Sequence, residues 1–305
     1  MTASGDAGAH QRWHQRWRAA RGTGILAFVL LMATLPLQAQ RPRAITLRIS
    51  PRAGDTLYTR FEQTVEISGT AHVGSADTTM TMKSTLLLLS HLIVNSSDSS
   101  GATVTAVTDS VALHSWRMGK SVPSESARRA MEGKRIQLEI APNGSATVVD
   151  APDELSSDVR AAVSAMPSTL PDKPIRIGST WKQTTAIPVS ASAGGRHGVG
   201  GNAATLTATY RLDSLSRDGD IAFISMRGVL QRDSSAAPLS SGLRVISNGT
   251  ITGSLRVDRK CGWWTSSDAT ITLESVLTPS SDSSRTHPMR VLTRIEQKMH
   301  TGDGW

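Results

Sequence analysis

The sequence predicts a mainly β fold, in which antiparallel meander sheets form a curved half-barrel or clam with one or two short helices. Three observations lead to this prediction. Apolar and polar residues alternate along several segments, which is the period of a half-buried strand. Short polar turns containing glycine separate those segments, and only two short stretches have helical spacing.

The predicted strands differ in how many apolar faces they carry. Residues 45–49 alternate between apolar and polar side chains, and so do residues 57–67, where Leu57 and Phe61 oppose Arg60. Residues 85–94 have no polar face, because leucines occupy both odd and even positions of the segment. This pattern predicts a strand that is covered on both sides at the centre of the sheet.

The turns between the predicted strands are short. Links of this length join antiparallel neighbours, since a parallel pair needs a crossover connection. They lie at Ser96 to Gly101, Asn143-Gly144, Asp218-Gly219 and Asp258 to Gly262.

Two helices are predicted as lids or connectors, over residues 123–131 and 153–166. The order of strands and turns before the second helix repeats after it. We therefore predict two halves, at about 44–151 and 175–301, joined by the helix at 153–166. A true duplication and a chance match of two meanders both fit this pattern.

The first forty residues have the layout of a secretory signal peptide. Four arginines precede the apolar run Ile25 to Leu37, and small residues follow it. The run is shorter than the roughly 20 residues that cross a bilayer. We predict a signal peptide at 1–39, cleavage after Ala39, and an exported β-rich domain at 40–305 in the periplasm or outside the cell. The alternative is an uncleaved leader lying at the membrane interface through Trp13 and Trp17.

The charge balance predicts which partners the domain meets. The chain has 33 Lys and Arg against 25 Asp and Glu, a net of +8, and removal of residues 1–39 lowers the net to +5. A mild positive charge favours anionic surfaces and allows peripheral contact with a membrane, but it is too diffuse to predict nucleic-acid binding. Cys261 is the single cysteine of the sequence, so an intramolecular disulfide is excluded.

Several turn-and-strand motifs resemble one family. They are Gly133 to Leu138, Pro142-Asn143-Gly144, Leu170-Pro171, Pro174-Ile175 and Ile177 to Trp181. This order resembles an uncharacterised family of exported bacterial β-rich domains with the pattern L-P…P-V-x-V-G-x-x-W. The segment Gly253 to Gly262 is similar to a hairpin of the same family, with Cys261 in place of a threonine. The resemblance implies an envelope location and no assigned activity. The architecture is also similar to that of periplasmic lipoprotein and lipid carriers.

Motifs that carry chemistry are absent from the sequence. It contains no H-E-x-x-H, C-x-x-C or G-x-S-x-G, so we predict no metal, no cofactor, no catalytic residue and no enzyme activity. Residues 194–201 are rich in glycine but lack the context of a phosphate-binding loop, which favours a flexible hairpin loop. Cys261 lies beside Lys260, yet no base is near in sequence, and we predict an inert turn residue.

Four tryptophans are the predicted ligand-binding residues: Trp116, Trp181, Trp263 and Trp264. Adjacent Trp263 and Trp264 should point to opposite faces of a strand, which places one of them at a cavity rim or in solvent. Core packing is the competing interpretation. We predict a non-catalytic binding or carrier module for a lipid or other apolar small molecule. The alternative is a structural module that docks to another envelope protein.

Overall fold

Twelve strands form one antiparallel sheet, which confirms the predicted fold class. The structure is a computed structural model that describes residues 44–73, 76–152, 169–188, 203–232, 243–279 and 288–302. The strands are β1 (Thr56–Val73), β2 (Ala76–Ser97), β3 (Ala102–Arg117), β4 (Lys120–Val122), β5 (Arg135–Ile140), β6 (Ala146–Asp150), β7 (Thr180–Pro188), β8 (Ala203–Leu215), β9 (Ile221–Arg232), β10 (Leu243–Asp258), β11 (Trp263–Pro279) and β12 (Met289–Gly302). One short helix, α1 (Glu125–Met131), follows β4. The predicted leader at 1–39 and helix at 153–166 lie outside the described residues.

The strand order is that of a meander whose two ends meet in the middle of the sheet. The path runs β6-β5-β3-β2-β1-β12-β11-β10-β9-β8-β7, with β4 paired beside β3. β1 and β12 are the central pair, with Phe61 opposite Met299. The four predicted turns connect β2 to β3, β5 to β6, β8 to β9 and β10 to β11. Residues 56–150 and 180–302 supply six strands each, while duplication of the halves stays a prediction.

Two strand predictions are wrong in detail. Residues 45–49 form no strand, and Ile45 makes only an isolated bridge to Ile175. Their alternation still has a cause, because Leu47 and Ile49 are buried in the core. Residues 85–94 belong to β2, which is not central, and Ile93 is 37% exposed. Its second apolar face is therefore only partly covered.

Two segments close one end of the sheet. The first is residues 44–52, where the Ile49 amide donates to the Pro142 carbonyl at 2.8 Å and the Ser50 amide to the Gly262 carbonyl at 2.9 Å. The second is residues 169–178, in which Leu170 is fully buried. Together with the strand ends beneath them they form the core, which we call the closed end. Its fully buried members include Leu47, Ile49, Leu170, Val104, Leu212, Ile224 and Val257.

The sheet bends so that the core face becomes concave. β5 and β11 are five strand positions apart, a distance of about 24 Å across a flat sheet. A Cβ built on Gly144, in the β5–β6 turn, would nevertheless lie 2.6 Å from Cζ2 of Trp264 at the start of β11. The amides of Thr169 and Leu170 donate to the Asn143 carbonyl in the same turn. We call the concave face the inner face and the other the outer face.

The central strands extend well beyond the closed end. β2 has 22 residues, which corresponds to about 70 Å, and β1 has 18. On β8, β9 and β10 the inner face is buried along most of its length, whereas on β1, β2 and β12 the buried positions, apart from Gly69, are at the closed end. The long strands thus carry an inner surface that the closed end does not cover.

Candidate functional site

An apolar surface lines the inner face of the central strands beyond the closed end. Every member is half-buried. The strand registers place Met82 beside Ile67 and Val65 beside Ile295, while Leu86 and Val291 lie diagonal to these pairs. We call this surface the open stretch, and it consists of Leu86, Met82, Val65, Ile67, Ile295 and Val291. A contiguous apolar patch that keeps contact with solvent is typical of a binding surface.

The outer face of the same strands carries charge. Lys83 Nζ donates to Glu66 Oε1 at 2.8 Å, and Arg294 Nη2 donates to Glu296 Oε1 at 2.6 Å. The hydrogen bond from Lys83 lowers the pKa of the exposed Glu66 carboxyl. The outer face therefore carries ion pairs on the same strands on which the inner face is apolar.

Three of the four predicted tryptophans lie at the closed end. Trp181 Nε1 donates to the Thr169 carbonyl at 3.1 Å, and Trp264 Nε1 donates to Thr169 Oγ1 at 3.3 Å. Trp263 is 4% exposed, and its ring meets that of Trp264 edge to face at 5.1 Å between centroids. The predicted opposite orientation is therefore wrong. β11 has a bulge next to this pair, because Val257 lies opposite Trp264 and Arg256 lies opposite Ser266, which leaves Thr265 without a partner position on β10.

Trp116 is separate from the other three. Its ring stacks on His114 at 6.0 Å between centroids, on the outer face of β3. It lines a cleft of about 530 Å³ together with Leu292 and the Glu66–Lys83 pair. The four tryptophans thus do not form one site, and the ligand-binding role assigned to them stays a prediction.

The inner face also holds a buried tyrosine. Tyr210 is fully buried and its ring stacks on Trp181 at 5.6 Å and 15°. Its hydroxyl has no hydrogen-bond partner in the described part of the chain. Burial raises the pKa of Tyr210 to about 12. A buried polar atom without a partner costs free energy, so this hydroxyl weakens the closed end.

A charged group on the inner face escaped the sequence prediction. Arg232, at the end of β9, is 2% exposed, and Ser247 opposite it on β10 is 3% exposed. The sequence did indicate this position. On β9 the even-numbered residues from Ala222 to Leu230 face inwards, and Arg232 is the next even-numbered residue. An arginine among the apolar inner-face positions of a strand departs from the pattern and could have been noticed in the sequence.

The described residues show no reactive constellation. No group of three or more His, Cys, Asp or Glu side chains within them could hold a metal ion. Burial, followed by the nearby Asp258 carboxylate, raises the pKa of Cys261 to about 11, so the thiol is protonated at neutral pH. The described helix is too short to cross a membrane, and no other helix in these ranges meets the length and hydropathy of a span. The glycine-rich segment 194–201 lies outside the described residues.

Comparison with solved structures gives distant matches. Lipovitellin, from a study of its lipid–protein interactions, matches with 12% identity and a TM-score of 0.49 over 83% of this chain. The chain spans 26% of lipovitellin. An outer membrane channel from Pseudomonas putida F1 has 9% identity and a TM-score of 0.25, over 83% of this chain and 97% of the channel. DynF of the dynemicin biosynthesis pathway of Micromonospora chersina has 9% identity and a TM-score of 0.15, with 87% and 91% covered. Scores this low do not inform function.

Sequence comparison identifies a family over part of the chain. None of the curated proteins compared with the chain matches it. Two motifs of the predicted resemblance, Leu170 to Trp181 and Gly253 to Gly262, lie within a matched region, and the resemblance to an uncharacterised family is thereby confirmed. Residues 158–264 match the model of a family of unknown function, DUF6263.

Proposed function

We propose that this chain is a non-catalytic binding or carrier module of the cell envelope, which holds a lipid or other apolar molecule against the open stretch. One observation supports the proposal above the others. Three neighbouring strands present apolar side chains on a concave face, with Ser84 and Thr293 between them, and all of these apolar side chains keep contact with solvent. Filling such a face with hydrocarbon would gain about 25 cal/mol for each Å² removed from water.

The proposal includes export. The basic and apolar leader supports cleavage after Ala39 and release of the domain to the periplasm or the cell exterior. In that compartment an apolar molecule needs a carrier to cross water, and the net charge of the mature chain favours contact with anionic membrane surfaces.

Native mass spectrometry of the protein purified from the exporting host tests both parts. We expect a polypeptide mass that begins at Gln40, together with a bound species that organic solvent removes. The delipidated protein should then bind a solvatochromic lipid dye. The bare polypeptide mass, combined with no dye binding, would contradict the carrier role.

A matched pair of variants locates the ligand. Val65→Gln places an amide in the open stretch and should weaken dye binding about ten-fold, because a polar group then faces the hydrocarbon. Leu292→Gln makes the same kind of change on the outer face, where Leu292 is 44% exposed, and should leave dye binding unchanged. Circular dichroism confirms that both variants fold. Equal losses in the two would place the ligand elsewhere.

Docking to another envelope protein is the second candidate. The outer-face cleft lined by Trp116 and Leu292 favours it, because an aromatic ring beside an exposed leucine is typical of protein interfaces. The same pair of variants separates the candidates. A partner bound at the cleft would be lost with Leu292→Gln and retained with Val65→Gln, because Val65 does not line the cleft.

A further inference from the structure

The hairpin that joins β3 to β4 lies beside the open stretch and carries two cations next to its turn. Arg117 lies opposite Lys120 across the hairpin, and both side chains are exposed. On its other side Arg117 lies opposite Met82, a member of the open stretch. We call residues 117–122 the basic hairpin, because its sequence, RMGKSV, contains two cations and no carboxylate. Positive charge therefore lies at the border of the apolar surface.

The two cations are not neutralised within the described part of the chain. Directly opposite residues of an antiparallel pair have Cβ atoms about 5 Å apart, so the like charges of Arg117 and Lys120 repel each other. Neither side chain forms an ion pair with a described residue. The nearest carboxylate after the hairpin, that of Glu125, already pairs with Arg128 and Arg129. An anionic partner would relieve the repulsion, so the pair favours one.

The turn of the basic hairpin carries an apolar residue in an unfavourable conformation. Met118 and Gly119 have φ of +50° and +75°, which is the geometry of a type I′ turn. Asparagine, aspartate or glycine is preferred at the first of these positions, and Met118 is, within the described ranges, the one residue other than glycine with positive φ. Its side chain is 55% exposed. Neither the turn nor the core accounts for a methionine here, whereas an apolar contact outside the chain would.

Further apolar side chains lie near the turn on the same face of the sheet. Met80, two residues before Met82 on β2, is 51% exposed, and Val122 on β4 is 40% exposed. Cationic side chains beside such residues extend toward lipid phosphates, while their aliphatic stems contact hydrocarbon. Membrane surfaces are bound by this combination, because the burial of apolar area adds to the attraction of cations for anionic lipid.

We propose that the basic hairpin docks the protein on an anionic membrane surface and brings the open stretch to the lipids of that surface. Arg117 and Lys120 contact the phosphates, and Met118 contacts the hydrocarbon below the headgroups. The Met118 amide donates to the Thr81 carbonyl at 2.9 Å, so the docked turn is attached to the strand that carries Met82. The inference rests on the proposed function and adds a partner to it. A bilayer is favoured over an acidic protein because the open stretch beside the hairpin is itself proposed to take up lipid.

Vesicle co-sedimentation of the purified mature protein tests the docking. One kind of vesicle is phosphatidylcholine alone, and the other is an equal mixture of phosphatidylcholine and phosphatidylglycerol. We expect binding to the neutral vesicles to be about ten-fold weaker or more, and sodium chloride at about 0.5 M to weaken binding to the mixed ones, since salt screens exposed charges. Arg117→Gln combined with Lys120→Gln should weaken binding to the mixed vesicles about 25-fold, since each cation near an anionic surface contributes about five-fold.

Met118→Asn separates docking from a structural role. Asparagine suits the turn, so the variant should unfold at a temperature about 2 °C higher than the wild type. It removes the apolar contact, so binding to the mixed vesicles should become about ten-fold weaker. A residue that served only the fold would not give a variant that is more stable and binds less.

The matched controls lie on the outer face, on strands of the other half of the sheet. Lys182→Gln combined with Arg227→Gln removes the same net charge from exposed positions. Val229→Asn replaces an apolar side chain that is 46% exposed. Both controls should bind the mixed vesicles as tightly as the wild type does.

Other results would overturn the docking or the proposed function separately. Equal losses in the two charge variants would mean that net charge directs binding and would overturn the role of the basic hairpin. Unchanged affinity in Met118→Asn would remove the turn from the contact. Absence of binding to either vesicle, in a protein that still binds the lipid dye, would overturn only the docking and favour an acidic protein as the partner. Vesicle binding without dye binding would overturn the carrier role instead.

Discussion

The closed end and the open stretch are parts of one inner face that differ in what covers them. At the closed end, Leu47 and Ile49 come from a segment without strand structure and fill the space above the strand ends. In the open stretch, Val65 and Ile67 continue the alternation of Leu57 and Phe61 on the same strand, yet they stay half-exposed. Alternation therefore determines which face is apolar, whereas the covering segments determine where that face becomes core.

The largest expected effect is a difference in unfolding free energy between one substitution at the closed end and one in the open stretch. Ile49→Ala removes a fully buried side chain and should lower the free energy of unfolding by about 3 kcal/mol. Ile67→Ala removes the same atoms from a half-exposed site and should cost about 1 kcal/mol or less. Urea denaturation measures both. Similar losses would mean that the open stretch is as well packed as the core.

Substitution of two glycines tests how residues 44–52 are held over the core. Gly262 has φ +66° and a Cβ there would lie 2.3 Å from the Ser50 carbonyl oxygen, so Gly262→Ala should cost about 3 kcal/mol through strain and displacement of residues 44–52.

Gly54 provides the control for that variant. It has φ +90° and no atom within 4 Å of a built Cβ, so Gly54→Ala should cost only the backbone strain of about 1 kcal/mol. Thermal unfolding measures the difference between the two. If the two losses were equal, the contact of Gly262 with Ser50 would have no role in holding the closed end.

The smallest effect concerns Tyr210 and appears only at high pH. The unfolded tyrosine loses its proton near pH 10 and the folded one near 12, so the stability present below pH 10 is lost between pH 10 and 12. Tyr210→Phe removes this loss, and at pH 11 the variant should exceed the wild type by about 1 kcal/mol more than it does at pH 7.

Cys261 titrates in both proteins and cancels in that comparison. The measurement is urea denaturation at the two pH values. A constant difference across pH would show that Tyr210 is accessible to solvent in the folded state.

These two regions were not equally predictable from the sequence. Alternation over residues 57–67 and the turns at Asn143-Gly144 and Asp258 to Gly262 were sufficient for the strands and their antiparallel pairing, because both signals are local. The bend of the sheet could not be predicted from the sequence, because it depends on contacts between residues that are distant in sequence, such as Gly144 and Trp264.

The sequence predicted an apolar concave surface, but it did not predict which residues form that surface. The prediction selected tryptophans because large aromatic residues are rare in this sequence. Three of the four lie at the closed end, where Trp181 and Trp264 donate hydrogen bonds to Thr169. The open stretch consists of common aliphatic residues whose half-exposure is visible only once the covering segments are placed. Arg232 was detectable in principle from its parity, yet its burial depends on neighbours along and across the sheet.

The way in which the two ends of the sheet are joined has a mechanical consequence. β6 and β7 end the strand path and, within the described ranges, are connected through Thr169, Leu170 and Asn143 instead of through a ladder of their own. A fully hydrogen-bonded ring has a circumference fixed by strand number and stagger. Among the described residues, β6 and β7 are joined only by a few hydrogen bonds at the closed end, so no ladder fixes the distance between these two strands along the rest of their length.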